Sequence, residues 1–498
     1  MTGVLNTLTS LDWRSANGAL VVAATAATGI YVANRLLTPE DKEAEKFQKL
    51  NKLPSPSGAL PIVGHLFSVG KSPHIKFSEW GRTLGPIYSV KMGSSRTWVI
   101  HNSSEVIREM LDRRGATYSD RISTDILEAF SANGIMYGFA QNNSYLRVWR
   151  KHTNNTISKS KLEKEYSQVL IAHSKQLLLN LLEKGNVPEG INPSDKVYLY
   201  NVNSMCSVIF NKSFTMDDPD FKEIVRLGVS TLNVAGDFTL ELFPFLAPFL
   251  RSKIRRAGLL QLQIKQVFGK YVEEVRQARK DGNEVKCACN EYLKAQETDN
   301  ENGHMDDVAS LDTSSIALLN GISILANYLN VQERAFAEIK DNIGLDRLPR
   351  DTDEERLPYT RAILTEILRF RPPLWLGVPH SNIKDEEYEG YHIPYIYPDP
   401  YMFKPERHLD EDAGNVRQHY AFGAGRRICP GSFLAEKSLF SVIAHIVQAF
   451  RIEPPLDAQG NPLEVPLSDI TLTEPSIPIF KVRFVPRHDN IKSMCKDD

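Results

Sequence analysis

One cysteine, Cys429, lies in a short glycine-bounded loop directly ahead of an apolar helical run, Phe433 to Phe450. The loop, residues 422–431, reads FGAGRRICPG and places Arg427 two residues before the cysteine. Free N–H groups and the dipole at the start of a helix favour a thiolate over a thiol. A shielded thiolate is an electron-rich metal ligand, so the loop predicts a metal site. The alternative is a buried structural cysteine beside a turn.

The loop resembles the haem-binding loop of the cytochrome P-450 family, whose pattern F-x-x-G-x-R-x-C-x-G it matches at every fixed position. The resemblance implies haem b as the cofactor, with Cys429 as the axial ligand that donates electron density towards O2. Arg427 is then placed to pair with a haem propionate. The other fixed positions include two glycines, which permit close backbone approach; these positions are Phe422, Gly425 and Gly431.

A second resemblance to the same family involves two segments that are far apart in the sequence. Glu366 and Arg369 form an E-x-x-R motif in a predicted helix over 359–370, and residues three apart share a helix face. The segment 405–408 reads PERH and is similar to the family's P-E-R-F segment, with histidine in place of phenylalanine. The resemblance implies a triad of Glu366, Arg369 and Arg407 that serves folding and haem loading. An ordinary surface ion pair is the alternative.

The segment 309–314, ASLDTS, resembles the oxygen-activating stretch of the family's long central helix, with Ser310 in place of the usual glycine. Oxygen activation consumes protons, and an acid next to an alcohol can relay them through water. The resemblance therefore implies Asp312 and Thr313 as catalytic residues, with Thr313 beside the oxygen and Asp312 connected to solvent. A serine- and threonine-rich helix start is the alternative.

Two further residues are expected, by resemblance, to contact the haem propionates. Trp149 stands where the family has the tryptophan of a W-x-x-x-R helix, and its indole N–H is a donor. Thr153 occupies the place of the arginine, so this chain departs from the pattern, and Arg150 or His152 are candidates to compensate. His380 lies at a predicted strand position where the family often has arginine or histidine. An ordinary strand-end histidine is the alternative there.

Composition excludes some classes of function. The chain has 498 residues and a net charge of -2, which gives no indication of a nucleic-acid partner. Its 5 cysteines form no paired framework, and the odd count fits a reducing compartment. Cys287 and Cys289 form a C-x-C in a polar stretch, which predicts an incidental surface pair rather than a metal site. The apolar stretch from Leu374 to Val378 predicts a hydrophobic substrate.

An alanine-rich apolar run, Ala16 to Ala33, would span roughly 27 Å as a helix at 1.5 Å per residue, close to the thickness of a bilayer core. A cleaved signal peptide is the competing interpretation. Basic residues follow the run from Arg35 onward, which favours a cytosolic body and a single-pass anchor in the endoplasmic reticulum membrane. The predicted organisation is a membrane anchor over 1–37, a proline-rich hinge over 38–61, a catalytic domain over 62–488 and a polar tail over 489–498.

Hydrophobic periodicity predicts a mainly α protein with a small β portion, the fold class of the cytochrome P-450 family. The predicted elements are a hairpin of 87–92 and 96–101, helices over 105–112, 166–183, 254–280 and 331–343, and a strand within 478–485.

Two stretches look short beside the family. A strand and a short helix are missing between Pro394 and Tyr395, and the central helix begins abruptly after Asp306 and Asp307. An imperfect gene model or a damaged copy would produce both, and a compact variant is the alternative.

The sequence therefore predicts a membrane-anchored haem-thiolate monooxygenase that inserts one oxygen atom from O2 into a hydrophobic organic substrate. Electrons would come from NADPH through NADPH–cytochrome P-450 reductase, docked near the basic residues Lys151, Arg426 and Lys437. A same-fold isomerase or dehydratase is one alternative. A catalytically impaired haem-binding family member is the other.

Overall fold

The computed structural model describes residues 53–70, 72–94, 96–134, 136–299, 311–374, 376–381, 402–409, 419–467 and 480–496, without the side chains of 296, 298, 299, 311 and 312. The predicted membrane anchor and both short stretches, beside residues 394 and 306, lie outside the described residues.

Within these ranges the fold is mainly helical with two small antiparallel sheets, as the periodicity predicts. The α-helices are α1 (Leu66–Val69), α2 (Pro73–Leu84), α3 (Ser104–Ile107), α4 (Asp125–Phe130), α5 (Ser144–Thr156), α6 (Lys159–Lys161), α7 (Ser167–Lys184), α8 (Ser194–Phe210), α9 (Pro219–Ala235), α10 (Thr239–Leu242), α11 (Arg251–Lys280), α12 (Ala288–Asp299), α13 (Leu311–Asn327), α14 (Leu329–Ile343), α15 (Pro358–Phe370), α16 (Ser432–Ala449) and α17 (Ile491–Met494). The strands are β1 (Ile87–Met92), β2 (Arg96–His101), β3 (Phe450–Glu453) and β4 (Arg483–Pro486).

The predicted hairpin is confirmed, with β1 and β2 paired from Ile87 opposite His101 to Met92 opposite Arg96. Alternate residues of β1 are buried, which fits a sheet with one face on the core. Ser103 caps the next helix by accepting a hydrogen bond from the N–H of Val106 at 3.2 Å. That helix is α-helical only through α3 and continues as a π-helix, Arg108–Arg113.

The largest hydrophobic core surrounds the helix that follows the cysteine loop. Every residue of α16 from Ser438 to Ala449 is buried, and this helix packs against α7, α13, α14 and α15. The long helices predicted from three-four spacing are confirmed within about three residues at their ends, as α7, α11 and α14. Burial of α16 on all sides makes it a rigid support for the loop at its N-terminus.

Two sequence-based expectations about exposure are wrong. Cys287 and Cys289 are not surface residues, because the turn into α12 places them in the main core, where they are 2% and 0% exposed. Residues 489–496 do not form a polar tail, because α17 places Ile491 and Met494 against the same core. In the second segment the buried apolar side chains, Ile491 and Met494, are three residues apart, as on one face of a helix. In the first, residues 287–290 are all buried although polar residues surround them, so average composition does not indicate burial in either segment.

Candidate functional site

The cysteine loop is held by hydrogen bonds to its own backbone and to the π-helix. The N–H of Cys429 donates to the carbonyl of Phe422 at 2.8 Å, which closes the loop. Gly425 has a φ of 62°, and its N–H donates to Oδ1 of Asp112 at 2.6 Å. A Cβ at Gly425 would lie 1.8 Å from the carbonyl oxygen of Leu111, so a larger residue does not fit there.

Gly431 serves a different purpose from Gly425. Its φ is -87°, which any residue adopts, and it is the N-cap of α16. A Cβ there would lie 3.9 Å from Sγ of Cys429, an ordinary contact distance. The glycine at this position therefore leaves open space beside the sulfur instead of permitting an unusual backbone conformation.

The pKa of the Cys429 thiol differs from the expectation of a depressed value. Burial raises this pKa, while the N–H of Gly431 and the positive charge of Arg150 act in the opposite direction. The start of α16 thus favours the thiolate, as predicted, but desolvation outweighs it in the protein chain alone. Coordination to a metal ion deprotonates such a thiol outright.

Arg427 is a buried cation whose guanidinium is only partly satisfied. Its Nε donates to the carbonyl of Ser119 at 2.7 Å, and its Nη2 donates to the carbonyl of Ala140. Its Nη1 is buried and has no hydrogen-bond partner. An unpartnered buried donor is costly, so this atom indicates a ligand that accepts from it.

A second buried cation, Arg121, lies beside the first. Its Nη1 donates to the carbonyls of Val378 and Pro379, each at 2.8 Å. Burial and the charge of Arg427 lower the pKa of Arg121 to about 9, so it remains protonated at neutral pH. No carboxylate in the described part of the chain forms an ion pair with either guanidinium. Asp120 acts on both guanidiniums through its charge but forms no described ion pair with either. Two buried cations with so little compensation among the described residues form a site for an anionic ligand.

Trp149 in α5 presents another unpartnered donor. Its indole Nε1 is buried and has no hydrogen-bond partner, and its ring packs on Tyr137 with the centroids 4.6 Å apart. Arg150 donates from Nη1 to Oη of Tyr137 at 2.5 Å and from Nη2 to the carbonyl of Ile428 at 3.0 Å. His152 instead packs edge-on against Tyr292, with the ring centroids 5.6 Å apart. Of the two candidates to compensate for Thr153, Arg150 contacts the cysteine loop through the carbonyl of Ile428.

His380 lies next to the two buried arginines. Its Nδ1 donates to the carbonyl of Tyr118 at 2.6 Å, since a carbonyl can only accept. Burial and the charge of Arg121 lower the pKa of His380 to about 4, so the ring is neutral at pH 7. The neighbouring Ser381 forms an isolated β-bridge with Asp120, which fixes the histidine beside the segment that carries Arg121.

The carboxylate of Glu366 is the centre of a buried cluster. It accepts from Nε and Nη2 of Arg369 at 2.7 and 2.8 Å, and from Nε of Arg407 at 3.1 Å. The N–H of Lys404 and Nε2 of His408 each donate to it at 2.8 Å. Burial alone would raise the pKa of Glu366, but these donors outweigh it and lower the pKa to about 2. The triad expected from sequence is thus one carboxylate with three cationic or polar side chains, because histidine replaces the family's phenylalanine.

The predicted proton-relay residues are placed at the start of α13. Asp312 and Thr313 lie in its first turn, and Thr313 is half-buried. The side chain of Asp312, and residues 309 and 310, lie outside the described residues. Among the residues expected to face a substrate, Leu374 is 38% exposed and Val378 is half-buried.

The three predicted docking cations differ in how exposed they are. Lys151 and Arg426 are exposed, as a docking role requires. Lys437 is not available, because its Nζ lies 2.5 Å from Oε2 of Glu354 and 4.0 Å from Oε1 of Glu163. Its prediction as a docking residue is therefore wrong, since its charge is already paired within the chain.

The sequence did not indicate Arg121 or Tyr137 as site residues, and it did not indicate which groups Arg150 would bond to. Arg121 bonds to carbonyls 257 and 258 residues away, and Arg150 bonds to one 278 residues away. Nothing local marks such contacts. The one available signal is an arginine that follows an aspartate, Asp120, in a stretch without helical or strand periodicity.

Comparisons with known proteins agree with this geometry. The family model for Cytochrome P-450 matches residues 54–479. The chain is 29% identical to cytochrome P-450 monooxygenase fogE of Aspergillus ruber, a match that covers 89% of this chain and 88% of the relative. It is 28% identical to cytochrome P-450 monooxygenase COX2 of Coprinopsis cinerea, over 89% and 91% of the two chains. It is 29% identical to cytochrome P-450 monooxygenase FrzL of a Cladobotryum species, over 89% and 90%.

Proposed function

Because the chain belongs to the cytochrome P-450 family, we propose that it binds haem b through the Cys429 thiolate and acts as a monooxygenase on a hydrophobic organic substrate. The observation that carries this proposal is the set of buried donors left without partners around the cysteine loop, Nη1 of Arg427 and Nε1 of Trp149. Carboxylates satisfy such donors, and haem b carries two of them as propionates.

The residues present fit this cofactor. Cys429 would ligate the iron, while Arg427, Trp149 and Arg121 would hold the propionates and neutralise their charge. His380 fits the same role when its ring takes up a proton, because its Nδ1 already donates to a carbonyl and a nearby carboxylate favours the charged ring. When bound, the haem iron supplies the activation of O2 and the transfer of one oxygen atom.

The chain's own contribution to the reaction is proton delivery. Thr313, half-buried at the start of α13, would pass a proton from its hydroxyl, and Asp312 would restore that proton from solvent. The Glu366 cluster lies on α15 and fixes the 402–409 segment to that helix, so we assign it to folding and haem loading.

We further propose that electrons come from NADPH through NADPH–cytochrome P-450 reductase. Lys151 and Arg426 support this partner, because they are exposed cations, with Arg426 in the cysteine loop and Lys151 on α5 next to Arg150. An acidic surface on the reductase would be steered to such a patch.

A membrane location in the endoplasmic reticulum is also a proposal. The apolar run Ala16 to Ala33 supports it, and so do Phe67 and Phe249, which are 74% and 80% exposed. In the described part of the chain, no helix by itself has the length and apolar composition needed to cross a bilayer; α14 and Thr313–Asn327 of α13 meet that test only as a pair bent by 105°. Retention of the full chain in membranes after an alkaline carbonate wash is expected, and its release into the supernatant would exclude an integral anchor.

Haem affinity tests the proposal through Trp149→Phe. Loss of one hydrogen bond to a charged group, about 1.5–3 kcal/mol, should weaken haem binding roughly 10- to 150-fold. The stability of the haem-free chain should change little, because the indole N–H has no protein partner to lose.

Trp98→Phe is the matched control. Its indole N–H already donates to Oε1 of the buried Glu241 at 2.8 Å, so this change should destabilise the haem-free chain and leave haem affinity unchanged. Haem titration followed by absorbance, with urea unfolding of the haem-free chains, measures both quantities. Equal haem affinity in Trp149→Phe and the wild type would count against the proposed site.

A further inference from the structure

The carbonyl group of Ile428, directly before Cys429, is held by a side chain from another part of the fold. Nη2 of Arg150 donates to this oxygen at 3.0 Å. The peptide group between these two loop residues carries the N–H of Cys429, which donates to the carbonyl of Phe422 at 2.8 Å. Both the C=O and the N–H of the peptide group that leads into the cysteine are therefore hydrogen-bonded. The Cα of Cys429 lies in the plane of this peptide group, so its position is held with the plane.

Arg150 is itself held in place by aromatic side chains. Its Nη1 donates to Oη of Tyr137 at 2.5 Å, and its guanidinium lies 5.9 Å from the centroid of the Tyr137 ring. Trp149 packs against the same Tyr137 ring, and the two ring planes are tilted by 36° to each other. A guanidinium has two terminal nitrogens in a fixed plane, so one arginine can bond both a phenol and a carbonyl where a lysine can bond only one at a time.

The positive charge of Arg150 lies one peptide group from Cys429, because its Nη2 bonds to the carbonyl of the preceding residue, Ile428, at 3.0 Å. Arg150 is half-buried, so its charge is less screened than that of a surface residue. A cation beside a thiolate ligand withdraws electron density from it and favours the reduced state of the metal.

On the basis of the proposed function, we infer that Arg150 is a positioning residue for the thiolate ligand, held by Tyr137, and that it fixes the cysteine loop through the carbonyl of Ile428 while its charge tunes the electron donation of the sulfur. It acts on the backbone of the loop. In this respect it differs from an arginine at position 153, where the chain has threonine.

Four variants separate geometry from charge. Arg150→Met removes the charge and both guanidinium hydrogen bonds, whereas Arg150→Lys keeps the charge but cannot make both hydrogen bonds at once. Tyr137→Phe keeps Arg150 and removes the hydroxyl that accepts one of its two hydrogen bonds. Arg147→Met is the matched control, because it removes an exposed guanidinium one turn earlier on the same helix.

Two spectroscopic quantities are measured on haem-loaded protein reduced with dithionite, so that no reductase is needed. The first is the rate at which the thiolate-type Soret band of the carbon monoxide complex converts to the shorter-wavelength form that marks loss of the thiolate. The second is the reduction potential of the haem. Neither is a measure of catalytic activity.

Each variant has a distinct expected outcome. The carbon monoxide complex of Arg150→Met should lose its thiolate-type Soret band several-fold faster than that of the wild type, and its haem should have a lower reduction potential. The complexes of Arg150→Lys and Tyr137→Phe should lose the band faster than that of the wild type at a nearly unchanged reduction potential, because the charge remains. Arg147→Met should match the wild type in both.

Unchanged conversion rates in Arg150→Lys and Tyr137→Phe, together with an unchanged potential in Arg150→Met, would overturn the inference while leaving the proposed function intact. If Arg150→Met does not take up haem, the other two variants still decide the positioning role. A wild-type protein without the thiolate-type band would refute the proposed function, and this inference with it.

Discussion

Replacing the carboxylate of Glu366 by an amide, Glu366→Gln, should be among the most damaging single changes outside the haem site. The carboxylate is 0% exposed and accepts hydrogen bonds from Arg369, Arg407, His408 and the N–H of Lys404. Its pKa falls from an ordinary 4.5 to about 2. A fall of that size corresponds to about 3 kcal/mol of preference for the charged form. Breaking a buried pair typically costs roughly 3–5 kcal/mol, so both estimates agree.

The sign of the pH dependence follows from the same shift. A carboxyl whose pKa is lower in the folded than in the unfolded chain contributes its full stabilisation above the unfolded value, near 4.5, and loses it as the pH falls towards about 2. The wild type should therefore lose about 3 kcal/mol of stability from this group between pH 5 and pH 2. Glu366→Gln cannot lose this contribution, so the gap between the two proteins should narrow as the solution is acidified.

The assay is urea unfolding of the haem-free proteins, followed by far-ultraviolet circular dichroism, at several pH values. Glu406→Gln is the matched control, because this carboxylate lies in the turn that carries Arg407 and His408 and pairs with Arg334 at 2.8 Å, but it is 40% exposed. An exposed pair contributes less than about 1 kcal/mol. If Glu366→Gln lowers the free energy of unfolding no more than Glu406→Gln does, the reasoning is refuted.

His408→Phe, which installs the family's residue, extends the same experiment. It removes one donor and leaves Glu366 with Arg369, Arg407 and the N–H of Lys404. The expected loss is about 1–2 kcal/mol, smaller than that of Glu366→Gln, because the carboxylate stays paired. A loss as large as that of Glu366→Gln would show that the histidine, and not the arginines, carries the cluster.

Two further predictions concern turnover. Thr313→Ala should reduce product formation by on the order of 10²-fold while NADPH oxidation continues, measured as the ratio of product to NADPH consumed. An unchanged ratio would remove Thr313 from proton delivery, and product formed without NADPH consumption would favour an isomerase or dehydratase. Charge reversal at both Lys151 and Arg426 should raise the reductase concentration needed for half-maximal turnover several-fold and leave the dithionite-reduced carbon monoxide spectrum unchanged. Unaltered reductase dependence would remove this surface as the docking site.

Local rules account for much of the fold. The hairpin of β1 and β2 follows from period-two alternation around a Gly-Ser-Ser turn, and α7, α11 and α14 follow from three-four spacing. The cysteine loop is also a local pattern, so its position before α16 was predictable. Burial was harder to predict, as Cys287 and the residues of α17 show, because whether a short apolar set faces the core depends on what packs against it.

The partners of the charged residues could not be read from the sequence. Lys437 is paired with Glu354, 83 residues away, and Arg150 reaches Ile428, 278 residues away. Such pairings depend on how helices are stacked, and every surface cation looks alike in the chain. The partner of Glu366 at position 408 is a similar case, because a histidine in a phenylalanine position gives no sign that its ring will face a carboxylate.

The most direct test of the central claim is the reduced carbon monoxide difference spectrum of the purified full chain beside that of Cys429→Ser. The wild type should bind haem and give the Soret band of a thiolate-ligated iron, and the serine variant should lose that band. A serine variant whose bound haem has the same absorption as the wild type would contradict ligation by Cys429.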